Sequence, residues 1–272
     1  MTDAALEAVL RRDRAIVAAA LFVLAALAWA YVLWLAADTD MGDMDMSGFR
    51  MIPANTALMM PATAPWNATE FAFVFAMWSV MMVGMMAPSA TPMILIYARV
   101  GRQAAQQAKP FAASSWFASG YLLAWIGFAL VATFVQWALE CGSLLTPTMA
   151  AASAVLSGIV LIVAGLYQWT PLKDACLRQC QMPLQFIQHH GGFRHDAFSS
   201  LALGGRHGAY CIGCCWVLMA ILFVGGVMNV LWIVALTIFV LVEKMVPVGR
   251  VISRVTGAGF FACGVWVLAQ TL

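Results

Sequence analysis

Charge is what this chain of 272 residues has least of: Lys, Arg, Asp and Glu together make up 10% of it, against about a quarter in a soluble domain. So few charges cannot cover a water-facing globule of this size. With hydrophobic residues at 64%, the composition points to a polytopic membrane protein. A G-x-x-x-x-G-K-[ST] pattern is also missing, which excludes an ATP-driven pump within the chain itself. The net charge of +2 gives no sign of a nucleic-acid partner, because the basic residues are accounted for by membrane topology.

Long apolar runs are what the chain does have. A helix needs about 20 apolar residues to cross about 30 Å of hydrocarbon. Seven stretches approach that length: 15–37, 70–97, 114–139, 149–168, 209–227, 230–246 and 255–271. The first follows Arg11, Arg12 and Arg14 and is too long for a cleaved secretory signal, so it reads as a retained anchor. With the N-terminus cytoplasmic, thirteen basic residues fall inside and only Arg50 outside. The expected fold is therefore all-α: a polytopic membrane helix bundle of about seven transmembrane helices. It divides into an anchor helix with an outer Met/Asp-rich loop (1–69) and a six-helix membrane domain (70–272) with a cytoplasmic Cys/His-rich loop at 172–210.

Soft metal ligands are unevenly placed. Five of the seven cysteines and all four histidines lie between Cys176 and Cys215. Cys176 and Cys180 are four apart, which on a helix puts both thiols on one face, and together with Lys173 and Arg178 they read as a short surface helix stopped before Pro183. His207, Cys211, Cys215 and Met219 repeat at steps of four with Cys214 alongside, so one helical stripe carries imidazole, thiol and thioether. Thiolate and thioether suit monovalent copper, and thiolate with imidazole also suits zinc. Small cysteines can instead simply pack helices, which explains Cys263 better than it explains three cysteines within five positions.

Methionine forms a second pattern. Met41, Met44 and Met46 interleave with aspartates in the outer loop, where a thioether stays a usable soft ligand in an oxidising compartment. Met77, Met81 and Met85 repeat at steps of four in the second span, beside Met82, Met86 and Met93. This stripe reads either as a ligand ladder or as flexible core packing. Pro88 and Pro92 should kink that helix. Glu243 and Lys244 look like a snorkelling pair at the inner boundary. A faint echo, Trp78-x-x-Met81 against Trp216-x-x-Met219, hints at an inverted repeat.

The motifs MWSVMMVGMMAPSATPM, AGLYQWTPLKDACLRQC, HGAYCIGCCWVLM, GVMN and EK, in that order, resemble a bacterial family of predicted metal-binding integral membrane proteins. The similarity runs from about Phe71 to Arg250. It implies a bacterial inner-membrane location and a metal site involving His207, Cys211, Cys214 and Cys215. The function expected is binding or transfer of monovalent copper across that membrane, with a larger membrane complex or a cytoplasmic metal chaperone as partner beside the lipid bilayer. Two alternatives stay open: an accessory or assembly subunit, and a thiol–disulfide oxidoreductase using Cys211 and Cys214.

Overall fold

The computed structural model describes residues 3–39, 49–51, 59–61, 64–106, 114–147, 149–193 and 196–271. Ten helices make up nearly all of it. In chain order they are α1 (Asp3–Thr39), α2 (Ala68–Gln106), α3 (Ser114–Cys141), α4 (Ala154–Tyr167), α5 (Pro171–Gln181), α6 (Pro183–His189), α7 (Ala197–Ala220), α8 (Leu222–Gly225), α9 (Val230–Met245) and α10 (Gly249–Ala269). Two three-residue strands, Phe49–Met51 and Met59–Pro61, pair antiparallel between α1 and α2. Met41, Met44 and Met46 lie outside the described residues.

Helix starts follow from local chemistry. The side chains of Asn67, Ser153, Thr170, Asp196 and Asn229 each accept a hydrogen bond from a backbone N–H three residues on, capping α2, α4, α5, α7 and α9. Pro171 and Pro183 occupy the first turns of α5 and α6, where a missing N–H costs nothing. Pro88 and Pro92 do not break α2, which continues as helix through both.

Among the described residues, five helices are long and apolar enough to cross a membrane: residues 15–37 of α1, 68–101 of α2, α3, residues 197–225 spanning α7 and α8, and α10. A sixth is obtained if α4 and α5, which meet at a bend of 67°, count as one broken span. The sequence reading of seven counted two runs whose helices are shorter than the apolar stretch. α4 has 14 residues and α9 has 16.

The bundle is assembled by close backbone approach. α3 lies along α7 in parallel, Phe117 meeting Gly204 and Tyr121 meeting Gly208, while α4 and α10 run antiparallel, Gly158 meeting Gly264 and Gly165 meeting Gly257. A Cβ on Gly204 would run into the Phe117 carbonyl, which is backbone and cannot step aside. Gly204→Ala should therefore cost about 1–3 kcal/mol by forcing α3 and α7 apart, read as a lower melting temperature in detergent. Gly127, with nothing within 4 Å of an added Cβ, is the control. Equal melting of the two alanine variants would remove this account.

α2 is keyed to α3 by buried polar groups. Trp78 Nε1 donates to Gln136 Oε1 at 2.7 Å, Gln136 Nε2 donates to Glu140 Oε1 at 3.0 Å, and Trp66 Nε1 donates to Glu140 Oε2 at 3.0 Å. This chain fixes the rotation of α2. It packs Met77, Met81, Met82, Met85 and Met86 inside the bundle. Trp78 is 1% exposed whereas Trp216 is 42% exposed, so the two Trp-x-x-Met motifs do not take equivalent places as a repeat would require.

Candidate metal centre

Most of the passage 172–210 is helical, and its first helix is not the surface element its charges suggest. α5 buries Lys173, Cys176 and Leu177 against the bundle. Its docking on α7 depends on Gly213, because a Cβ there would stand 2.8 Å from the Cys176 sulfur. The neighbouring turn is held by Tyr167, whose hydroxyl donates to the Gly213 carbonyl.

α5 and α7 together gather sulfur. Cys211, Cys214 and Cys215 are buried in α7, and Cys180 of α5 reaches the thiols of Cys211 and Cys214. Cys176 lies within electrostatic reach of Cys214. Within α7, the thiols of Cys214 and Cys215 donate back to the Cys211 carbonyl at 3.1 and 3.0 Å. All seven cysteines are free thiols.

The centre of the cluster is occupied by a lysine. Lys244 Nζ donates to Cys211 Sγ at 2.8 Å and stands 3.8 Å from Cys215 Sγ and 3.9 Å from Met86 Sδ. The Tyr121 hydroxyl is 3.1 Å from the same Cys211 sulfur and 3.1 Å from the Met86 carbonyl. Lys244 is 6% exposed, so its ammonium is met by sulfur instead of water.

Glu243, its chain neighbour, faces the other way. Its carboxylate pairs with Lys173 Nζ at 2.7 Å, both side chains fully buried, and accepts a hydrogen bond from Ser253 of α10. Gln181 of α5 donates to the Glu243 carbonyl at 2.9 Å and to that of Val246 at 3.3 Å. Glu243 and Lys244 are thus not a snorkelling pair. Each is withdrawn from lipid and matched to a separate partner, because two consecutive helical residues point about 100° apart.

His207 lies one turn before Cys211, boxed by Phe117, Tyr121 and Phe186 at ring distances of 6.0, 5.8 and 5.0 Å. Its Nδ1 has no hydrogen-bond partner among the described residues. Met77, Met81 and Met85 are buried in α2, and Met86 brings its thioether to the Lys244 ammonium that also meets Cys211 and Cys215. Sequence reasoning had grouped Met86 beside the ladder and had no reason to prefer it. Lys173, Tyr121 and Lys244 were not singled out for the site either, since none carries a ligand signature.

Among the described residues, no three His, Cys, Asp or Glu side chains stand together as a metal cage. The donors are instead strung from Cys176 through Cys180 and Cys214 to Cys211, Cys215 and Met86. Residues 75–267 match the model of the PpoB2 family, described as a copper chaperone. The chain belongs to that family. No curated protein and no solved structure matches it. The donor types in this member of the PpoB2 family agree with that description, since thiol and thioether are soft ligands that suit copper.

Proposed function

We propose that this protein accepts monovalent copper inside a bacterial inner membrane and hands it along a line of sulfur ligands, with its N-terminus in the cytoplasm. The observation that carries the reading is the Lys244 ammonium held 2.8 Å from Cys211 Sγ, with a second thiol and a thioether beside it. A buried group of soft donors gathered around one monovalent cation has the charge and the ligand chemistry for another. Family membership supports copper as that ion. Zinc fits less well, since it takes four ligands in a closed tetrahedron and no such cage stands among the described residues.

The orientation is supported by the basic residues, thirteen to one under seven crossings. Parallel α3 and α7 and antiparallel α4 and α10 agree with that alternation, α4 and α9 then crossing as short spans. In this reading Met41, Met44 and Met46 recruit copper outside, and Met77, Met81 and Met85 carry it along α2. Cys211, Cys214 and Cys215 receive it beside His207, and Cys176 with Cys180 forms the exit. Individually weak stations in series are what passage requires.

The test is copper retained by purified protein after buffer exchange. Cys211→Ser/Cys215→Ser should lower it by about tenfold or more, the scale on which metal sites respond to altered ligation. Undiminished retention in that variant would end the proposal. One observation favours a second reading: an ammonium beside Cys211 also suits a reactive thiolate exchanging disulfides with Cys214. Both thiols are buried, however, and exchange needs an in-line approach by the partner disulfide. Redox activity that survives exhaustive chelation would favour it.

A further inference from the structure

A cavity of about 520 Å³ opens beside the sulfur row, lined by Cys176, His190, Arg206, Ala209 and Tyr210. Its volume is that of a small-molecule site. The floor is the Cys176 side chain, 7% exposed and backed by α7 at Gly213. On the rim stands Arg206, exposed, a permanent cation whose planar fork matches a carboxylate. His190 forms another part of the lining, its Nδ1 2.8 Å from the Phe186 carbonyl and its ring 4.4 Å from the Phe186 ring. Tyr210 contributes an aromatic wall, 5.7 Å from His190.

A thiol at the base and a guanidinium at the lip together select a ligand that brings a soft ion and a negative charge at once. We propose that this cavity is a docking port for the cuprous complex of a small carboxylate-bearing thiol, which exchanges its ion with Cys176. The carboxylate pairs with Arg206 while the copper–sulfur bond of the carrier breaks and a copper–sulfur bond to Cys176 forms. The proton of the Cys176 thiol leaves with the departing carrier thiolate. Copper stays monovalent throughout, so the step needs no oxidant or reductant. It is reversible, and the same port serves loading and unloading. Behind Cys176 the ion meets Cys180 and Cys214, which continue the row into the bundle.

This inference rests on the copper reading and names the partner of its exit end. The experiment compares two donors offered to the copper-stripped full chain in detergent: the cuprous complex of reduced glutathione, which is anionic, and that of cysteamine, which is cationic. Wild type should load faster from the anionic donor. Arg206→Glu should shift the ratio of the two rates by about tenfold or more toward cysteamine, with Arg206→Gln intermediate, as charge steering at a rim predicts. Cys176→Ser should slow loading from both donors alike. An unchanged ratio in Arg206→Glu, or unslowed loading in Cys176→Ser, overturns the port while leaving the copper reading in place. Wild type that retains copper from neither donor overturns both.

Discussion

Cys211→Ala is expected to abolish copper retention and to destabilise the protein by about 3–5 kcal/mol, the cost of leaving a buried charge without its partner. The ammonium of Lys244 has Cys211 Sγ at 2.8 Å as its nearest acceptor, and the next sulfurs stand at 3.8 and 3.9 Å. Alanine removes the near one and supplies nothing in its place. The double variant Cys211→Ala/Lys244→Met removes the charge as well and fills its volume with an apolar chain. Stability should then return close to wild type, as it does when whole buried pairs are replaced, while copper retention stays lost. Melting temperatures of the four proteins form a double-mutant cycle that isolates the coupling. Losses that merely add would mean the contact between Lys244 and Cys211 carries no energy, and the role given to Lys244 would fall with it.

Lys173→Met should be comparably costly, about 3–5 kcal/mol by the same reasoning, and for a different part of the molecule. Lys173 and Glu243 are both 0% exposed and stand 2.7 Å apart, joining α5 to α9, and Ser253 brings α10 into the same network. Without Lys173 the carboxylate must remain unpaired or take up a proton, and either change weakens the seat of α5. Cys176 and Cys180 are on α5, so alkylation of these thiols by a water-soluble reagent should speed up along with the fall in melting temperature. Lys173→Met/Glu243→Gln should recover part of the stability. If Lys173→Met melts like wild type and its thiols stay equally protected, the ion pair does not hold α5 in place.

How much of this could be read from the sequence depended on where the partners of each group lie in the chain. The membrane character and the sulfur cluster were legible because both are local: apolar runs need only composition, and Cys211, Cys214 and Cys215 share one helix by spacing alone. The two lysines were misread because nothing near them in sequence declares a partner. Lys244 is 33 positions from Cys211, and Lys173 is 70 from Glu243. A charged α5 therefore looked like a surface helix, and adjacent Glu243 and Lys244 looked like one pair. Span counting ran ahead of the helices for a related reason. The run 149–168 is apolar throughout, but only Ala154–Tyr167 is α-helix there, since hydropathy does not register where a cap ends the hydrogen-bonded turns. The methionine stripe of α2 was visible. Which thioether meets the Lys244 ammonium was not, because that depends on helix rotation, set here by Trp78 and Gln136.

The brevity of α4 and α9 has a consequence for the lipid around them. At 1.5 Å per residue their 14 and 16 residues reach only ~21 and ~24 Å, less than the ~30 Å of an average hydrocarbon layer. If both cross, as the proposed seven-span topology requires, lipid on that flank must thin or pucker to meet them, drawing headgroups and their water inward toward the end of α9 where Glu243 and Lys244 lie. Ammonium and carboxylate groups that would be prohibitively deep in a uniform slab would then sit a short distance from the aqueous edge, on the side of the bundle where that topology makes the membrane locally shallow.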